Sequence, residues 1–162
     1  MIELKGATAP FFYWEEIVLL HQKLAVSLGA LGLIPFLLGP ILMVMGINAP
    51  ASLLLKTYSV AIFCFLCGSW WGIVLVRHNV SSIQKVKLLA LSNLFVVTAV
   101  GVAVLFDDNI LFLTLAVGYL SQLGVEGLMN PLSRQPLYYR RMRITLSCTA
   151  AACLVIAAVL TS

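Results

Sequence analysis

The chain has 162 residues, of which 62% are hydrophobic and only 10% charged, where soluble domains carry about a quarter charged residues. With a mean hydropathy of +1.06, this excludes an ordinary soluble domain and predicts an all-α polytopic membrane protein built as one bundle. The apolar runs are continuous and do not alternate, which argues against a β-barrel, and the net charge of +4 sits between those runs, where it sets orientation and does not mark a nucleic-acid partner.

Residues 1–23 read as an interfacial amphipathic lead. Pro10 is followed by the aromatic cluster Phe11, Phe12, Tyr13 and Trp14, and Ile17, Val18, Leu20 and Leu24 recur at helical spacing among Glu15, Glu16, Gln22 and Lys23. The first apolar run starts too late for a cleavable signal peptide. Glu3, Glu15 and Glu16 argue against a mitochondrial transit peptide, which is Arg-rich and poor in acids.

Residues 24–162 are predicted to form a five-helix transmembrane domain, with spans at about 24–47, 57–76, 86–106, 110–129 and 143–160. The first span would reach about 36 Å, longer than the ~30 Å hydrocarbon core, so kinks at Pro35 and Pro40 or a tilt should absorb the excess. Asn48-Ala49-Pro50 reads as a turn, and Arg77 and His78 end the second span. Asp107-Asp108-Asn109 reads as a tight turn before the fourth, and Arg143 opens the fifth.

Five spans place the N-terminus, the loop after span two and the loop after span four on one side. Those segments hold Lys5, Lys23, Arg77, Lys85, Lys87, Arg134, Arg140, Arg141 and Arg143, nine of the ten basic residues, and the other side holds Lys56. Basic residues stay in the cytoplasm, so the N-terminus is expected there and the C-terminus outside. An odd number of spans without an internal repeat disfavours an inverted-repeat transporter.

With that topology the unusual side chains collect in the cytoplasmic half: Trp70, Trp71, Asn93, Gln122, Glu126, Tyr139 and Arg143. Tyr119, Gln122 and Glu126, at i, i+3 and i+7, share one face of span four. A carboxylate in an apolar span costs about 2.5–3.5 kcal/mol near its centre and needs a partner, for which Arg143 is placed. Glu126 then has two readings, a clamp between spans four and five or a proton or substrate site. Trp70 and Trp71 fit the interfacial aromatic belt or the lining of a pocket. Cys64, Gly68 and Gly72 repeat at i, i+4 and i+8, a small-residue ridge for close internal helix packing.

Cys64, Cys67, Cys148 and Cys153 all lie in apolar runs and read as packing residues. His21 and His78 lie at the membrane edge, outside any bundle site for haem. No Walker loop, nucleophile elbow or HExxH occurs, so no catalytic, cofactor or metal site is predicted.

Leu28-Gly-Ala-Leu-Gly-Leu-Ile-Pro35-Phe36, Tyr58 with Phe65-Leu-Cys-Gly68-Ser-Trp-Trp71-Gly72, and Pro136-Leu-Tyr-Tyr139-Arg-Arg-Met-Arg143 resemble an uncharacterised membrane family of unknown function that includes transmembrane protein 69. The family tends to have glycine where Cys67 stands, His or Arg where Trp70 stands, and a carboxylate in the fourth span, which Glu126 matches. The resemblance implies a bacterial inner membrane or a mitochondrial inner membrane, the acidic N-terminus favouring the bacterial one, and implies no activity. The expected function is a structural or accessory membrane protein that packs against a membrane partner or another copy of itself. The alternative is a small carrier or proton-coupled transporter using Glu126.

Overall fold

A computed structural model of the chain describes residues 20, 22–76, 81–129 and 136–162. The expected N-terminal lead falls almost wholly outside them, as do Arg77, His78 and Arg134. Five helices among the described residues are long and apolar enough to cross a membrane. They are α1 (Gln22–Val44), α2 (Asn48–Val76), α3 (Ser82–Leu105), α4 (Asp108–Leu128) and α5 (Leu137–Leu160). No strand occurs among the described residues. The chain is a multi-pass α-helical membrane protein.

The helices begin earlier than the hydropathy suggests, for local reasons. Asn48-Ala49-Pro50 is not a turn. It opens α2, because a proline in the first helical turn gives up an N–H that would have no partner there. The turn falls on Gly46, whose φ of +85° suits glycine. The Ile47 N–H reaches back to the Leu42 carbonyl at 3.0 Å and the Gly46 N–H to that of Met43 at 3.0 Å, a helix-ending left-handed cap. In α3, Ser81 Oγ caps the start by accepting from the Gln84 N–H at 3.4 Å. Asp108 and Asn109 belong to α4, so that turn shortens to Phe106 and Asp107. Arg143 does not open α5 but lies inside it, since the helix starts at Leu137 just after Pro136.

In α1 the break comes at Gly32 and Leu33, ahead of the regular stretch Ile34–Val44. Pro35 has no N–H to give the carbonyl four residues back, and the Leu33 N–H tightens onto the Ala30 carbonyl at 3.1 Å. Pro40 stays inside the helix.

Helices α1, α2, α3, α4 and α5 pack in sequence, α5 closes back on α1, and α2 meets α4 across the middle. The bonds from α2 to α4 pair Ser52 with Asp108, Ser59 with Tyr119, Cys67 with Gln122 and Trp70 with Glu126, so these two helices run parallel. Phe36, Leu55, Phe63, Phe112, Leu115 and Tyr119 form the main core. Within it Phe36 and Phe63 meet the Tyr119 ring edge-on at centroid distances of 5.9 and 5.3 Å. A smaller cluster of Trp70, Val74 and Leu88 sits at the end where α2 and α4 finish.

Candidate functional site

The face of α4 bearing Tyr119, Gln122 and Glu126 turns inward against α2 and α5. At its end the Glu126 carboxylate receives three donors from two other helices. Arg143 Nε donates to Oε2 at 3.3 Å and Nη2 donates to Oε1, a two-pronged grip. Trp70 Nε1 donates to the same Oε1 at 3.1 Å. The Arg143 side chain is 5% exposed and that of Glu126 18%. A charge this withdrawn from water persists because its counter-charge and hydrogen bonds are supplied in place.

One turn deeper, Gln122 Nε2 donates to Cys67 Sγ, and Ser92 Oγ donates to the Cys67 carbonyl at 2.8 Å, joining α3 to α2. Tyr119 donates its hydroxyl to the Ser59 carbonyl at 2.9 Å, and Tyr58 donates to the Gly32 carbonyl at 2.9 Å, where the break in α1 exposes backbone. The bonds to Cys67 and Ser59 use second lone pairs of carbonyls already inside α2, whereas the Gly32 carbonyl lies at the break in α1. At the opposite end Lys56 Nζ lies 3.0 Å from Asp108 Oδ1, and Ser52 Oγ donates to Oδ2.

A cleft of about 420 Å³ opens between α1, α2 and α5, with Tyr119 on its wall. Arg143 and Tyr139 line it at the end where α2 and α4 finish, Ser69 and Ser147 next to them, and Phe36, Ile62 and Ala150 line it toward the bundle middle. Two buried polar atoms have no partner among the described residues, Gln122 Oε1 and Ser147 Oγ.

Of the residues singled out in the sequence, Trp70, Gln122, Glu126 and Arg143 converge, and Tyr139 stands beside Arg143 on the cleft. Asn93 does not join them. It is exposed on α3, and its neighbour Ser92, 1% exposed, takes the inward position. Trp71 is 40% exposed and faces away, since adjacent helical positions point about 100° apart.

The small-residue ridge also needs correction. Gly68 and Gly72 are exposed, and a Cβ built on either meets nothing within 4 Å. The inward face of α2 is instead Ser59, Phe63, Cys67, Trp70 and Val74. Close internal approach occurs at other glycines, among them Gly118 of α4, where a Cβ would lie 2.9 Å from the Phe63 ring. Cys67, which the sequence presents as a packing residue, is also the acceptor for Gln122. Ser59, Ser92 and Ser147 escaped the sequence reading. Their signal is faint, because a lone hydroxyl in an apolar helix commonly bonds its own backbone.

Five apolar helices, three of them tied at one end by a part-buried carboxylate–guanidinium–indole contact, define an integral membrane protein of unknown activity. The model of a protein family of unknown function (DUF3429) matches residues 21–159, and the chain belongs to that family. No curated protein and no solved structure matches it.

Proposed function

We propose that this chain is a structural or accessory membrane protein that packs against a partner helix in the bilayer. The observation that carries the reading is the state of Glu126, whose two oxygens are occupied by Arg143 and Trp70. A proton carrier needs a carboxyl that exchanges with water and changes partners during the cycle. A carboxylate gripped from two other helices is suited to holding three helices together. The ridge Cys64, Gly68 and Gly72, open on the outside of α2, is where a partner helix could approach closely, whether from another protein or a second copy.

The orientation proposed is N-terminus in the cytoplasm and C-terminus outside, from the nine-to-one distribution of basic residues. The membrane proposed is the bacterial inner membrane, with the mitochondrial inner membrane the alternative, in line with the resemblance to the family that includes transmembrane protein 69. The test is affinity purification of the full chain from native membranes. The expected result is a stoichiometric membrane partner, or a dimer, lost on Gly68→Leu while the chain stays folded. A lone monomer that behaves identically with and without Gly68→Leu overturns the reading.

The second reading, a small carrier using Glu126, draws on the cleft that reaches Arg143. It requires Glu126→Gln to abolish transport or its pH dependence in a protein that remains folded.

A further inference from the structure

The cleft between α1, α2 and α5 is graded along its length. Tyr139, Arg143, Ser147 and Ala150 follow one another along one face of α5, at i, i+4, i+8 and i+11, and all line it. The wall therefore passes from phenol and guanidinium, through a hydroxyl, to a methyl group and then to Phe36 and Ile62. Its volume of about 420 Å³ lies within the ~300–1,000 Å³ of small-molecule sites.

Ser147 supplies the independent observation. It is 2% exposed, yet its Oγ has no partner among the described residues. Thr145 on the same helix, less than one turn away, bonds a carbonyl of its own backbone at 3.1 Å, so the local remedy is open to a hydroxyl here and Ser147 does not take it. A buried hydroxyl without a partner costs stability, and buried polar groups in native structures are normally hydrogen-bonded, to protein or to something held at the site.

We propose that the cleft binds one amphiphile, an apolar chain ending in a carbonyl head. The chain lies along Phe36 and Ile62 toward the bundle middle. The carbonyl accepts a hydrogen bond from Ser147 Oγ, with Arg143 and Tyr139 on the side of the head group. Arg143 grips Glu126 through Nε and Nη2, so its charge is already balanced and the head is neutral at the carbonyl. A bilayer offers this chemistry from two sources, the ester of a glycerolipid and the ring carbonyl of a chain-bearing quinone. The proposal stands apart from the choice between accessory protein and carrier, since it concerns occupancy of the cleft and neither transport nor a protein partner.

The test uses the full chain in a mild detergent, titrated by native mass spectrometry with a decyl-tailed benzoquinone, with dimyristoylphosphatidylglycerol and with decylbenzene, which has the tail without the carbonyl. One equivalent of a carbonyl probe is expected to bind, and decylbenzene more weakly. Tighter binding of either carbonyl probe supports the proposal and identifies the source. Ser147→Ala removes one hydrogen bond and should weaken that probe about fivefold to tenfold, while the unliganded protein keeps or gains thermal stability because an unpartnered buried hydroxyl has gone. Ala25→Phe, on the half-buried cleft wall, should abolish binding by filling the space. A photo-crosslinker at Leu28 on the rim should give amphiphile adducts. Equal binding by wild type, Ser147→Ala and Ala25→Phe overturns the proposal, as does equal binding of decylbenzene. Adducts from Leu28 to residues 1–19 or to another protein overturn it too, by naming a different occupant.

Discussion

Glu126, Arg143 and Trp70 are separated by 56 and 17 residues along the chain and meet at one carboxylate. Removing one member of this part-buried pair leaves an uncompensated charge, so Glu126→Gln and Arg143→Gln should each destabilise the protein, by somewhat less than the ~3–5 kcal/mol of a fully buried pair. The double substitution replaces both charges with amides that can bond each other, and should recover part of that loss. Unfolding of the detergent-solubilised protein, followed by circular dichroism, measures all three, and strictly additive losses would count against the clamp. Trp70→Phe keeps the ring packed in the cluster with Val74 and Leu88 but removes the Nε1 donor. A hydrogen bond to a charged acceptor is worth about 1.5–3 kcal/mol, so this variant should unfold earlier than wild type yet later than either charge variant. At this scale the sequence showed that Glu126 needs a partner and that Arg143 is available. It did not show Trp70 as the third member, because either tryptophan of the pair could have faced inward.

Among the elements, α2 shows how far periodicity reaches. Its hydropathy is high on every side, since one face meets the bundle and the other faces lipid, and an apolar helix gives little contrast from which to choose the inner face. The small-residue ridge therefore looked like the packing surface, and the real one is Ser59, Phe63, Cys67, Trp70 and Val74. Glycine marks close approach only where another element is opposite. Gly118 has the Phe63 ring 2.9 Å from where its Cβ would be, and Gly72 has nothing within 4 Å. Gly118→Ala should consequently overpack the α2–α4 interface and cost about 1–3 kcal/mol. Gly72→Ala should leave the isolated chain unchanged in thermal unfolding, or slightly stabilised by its better helix propensity. If both behave alike, the assignment of inner and outer faces on α2 is wrong. The same comparison made in native membranes tests the proposed partner, since a ridge used for docking makes Gly72→Ala disruptive only there.

For the whole molecule, the proposed orientation predicts which loops an impermeant maleimide reaches. With the four native cysteines replaced, Asp107→Cys should label from outside intact cells, and Ser81→Cys only after the membrane is opened. The reverse pattern would invert the topology and move the Glu126–Arg143 pair to the outer half. That the chain forms five helices long and apolar enough to cross a membrane was already determined by the sequence, because an apolar run of about 20 residues is a local property that no packing partner can alter. So was the need for a counter-charge to Glu126, because an unpaired carboxylate in an apolar span is costly whatever the packing around it. The tertiary structure alone decided that α2 runs through the middle against α4, that Ser92 and not Asn93 turns inward, that Gly68 and Gly72 stay open, and that Ser147 is left unpartnered beside a cleft. Each of these depends on which side of a uniformly apolar helix meets another helix. In lipid the solvent draws no distinction between those sides, so the choice rests on shape complementarity and a few hydrogen bonds between segments far apart in the chain.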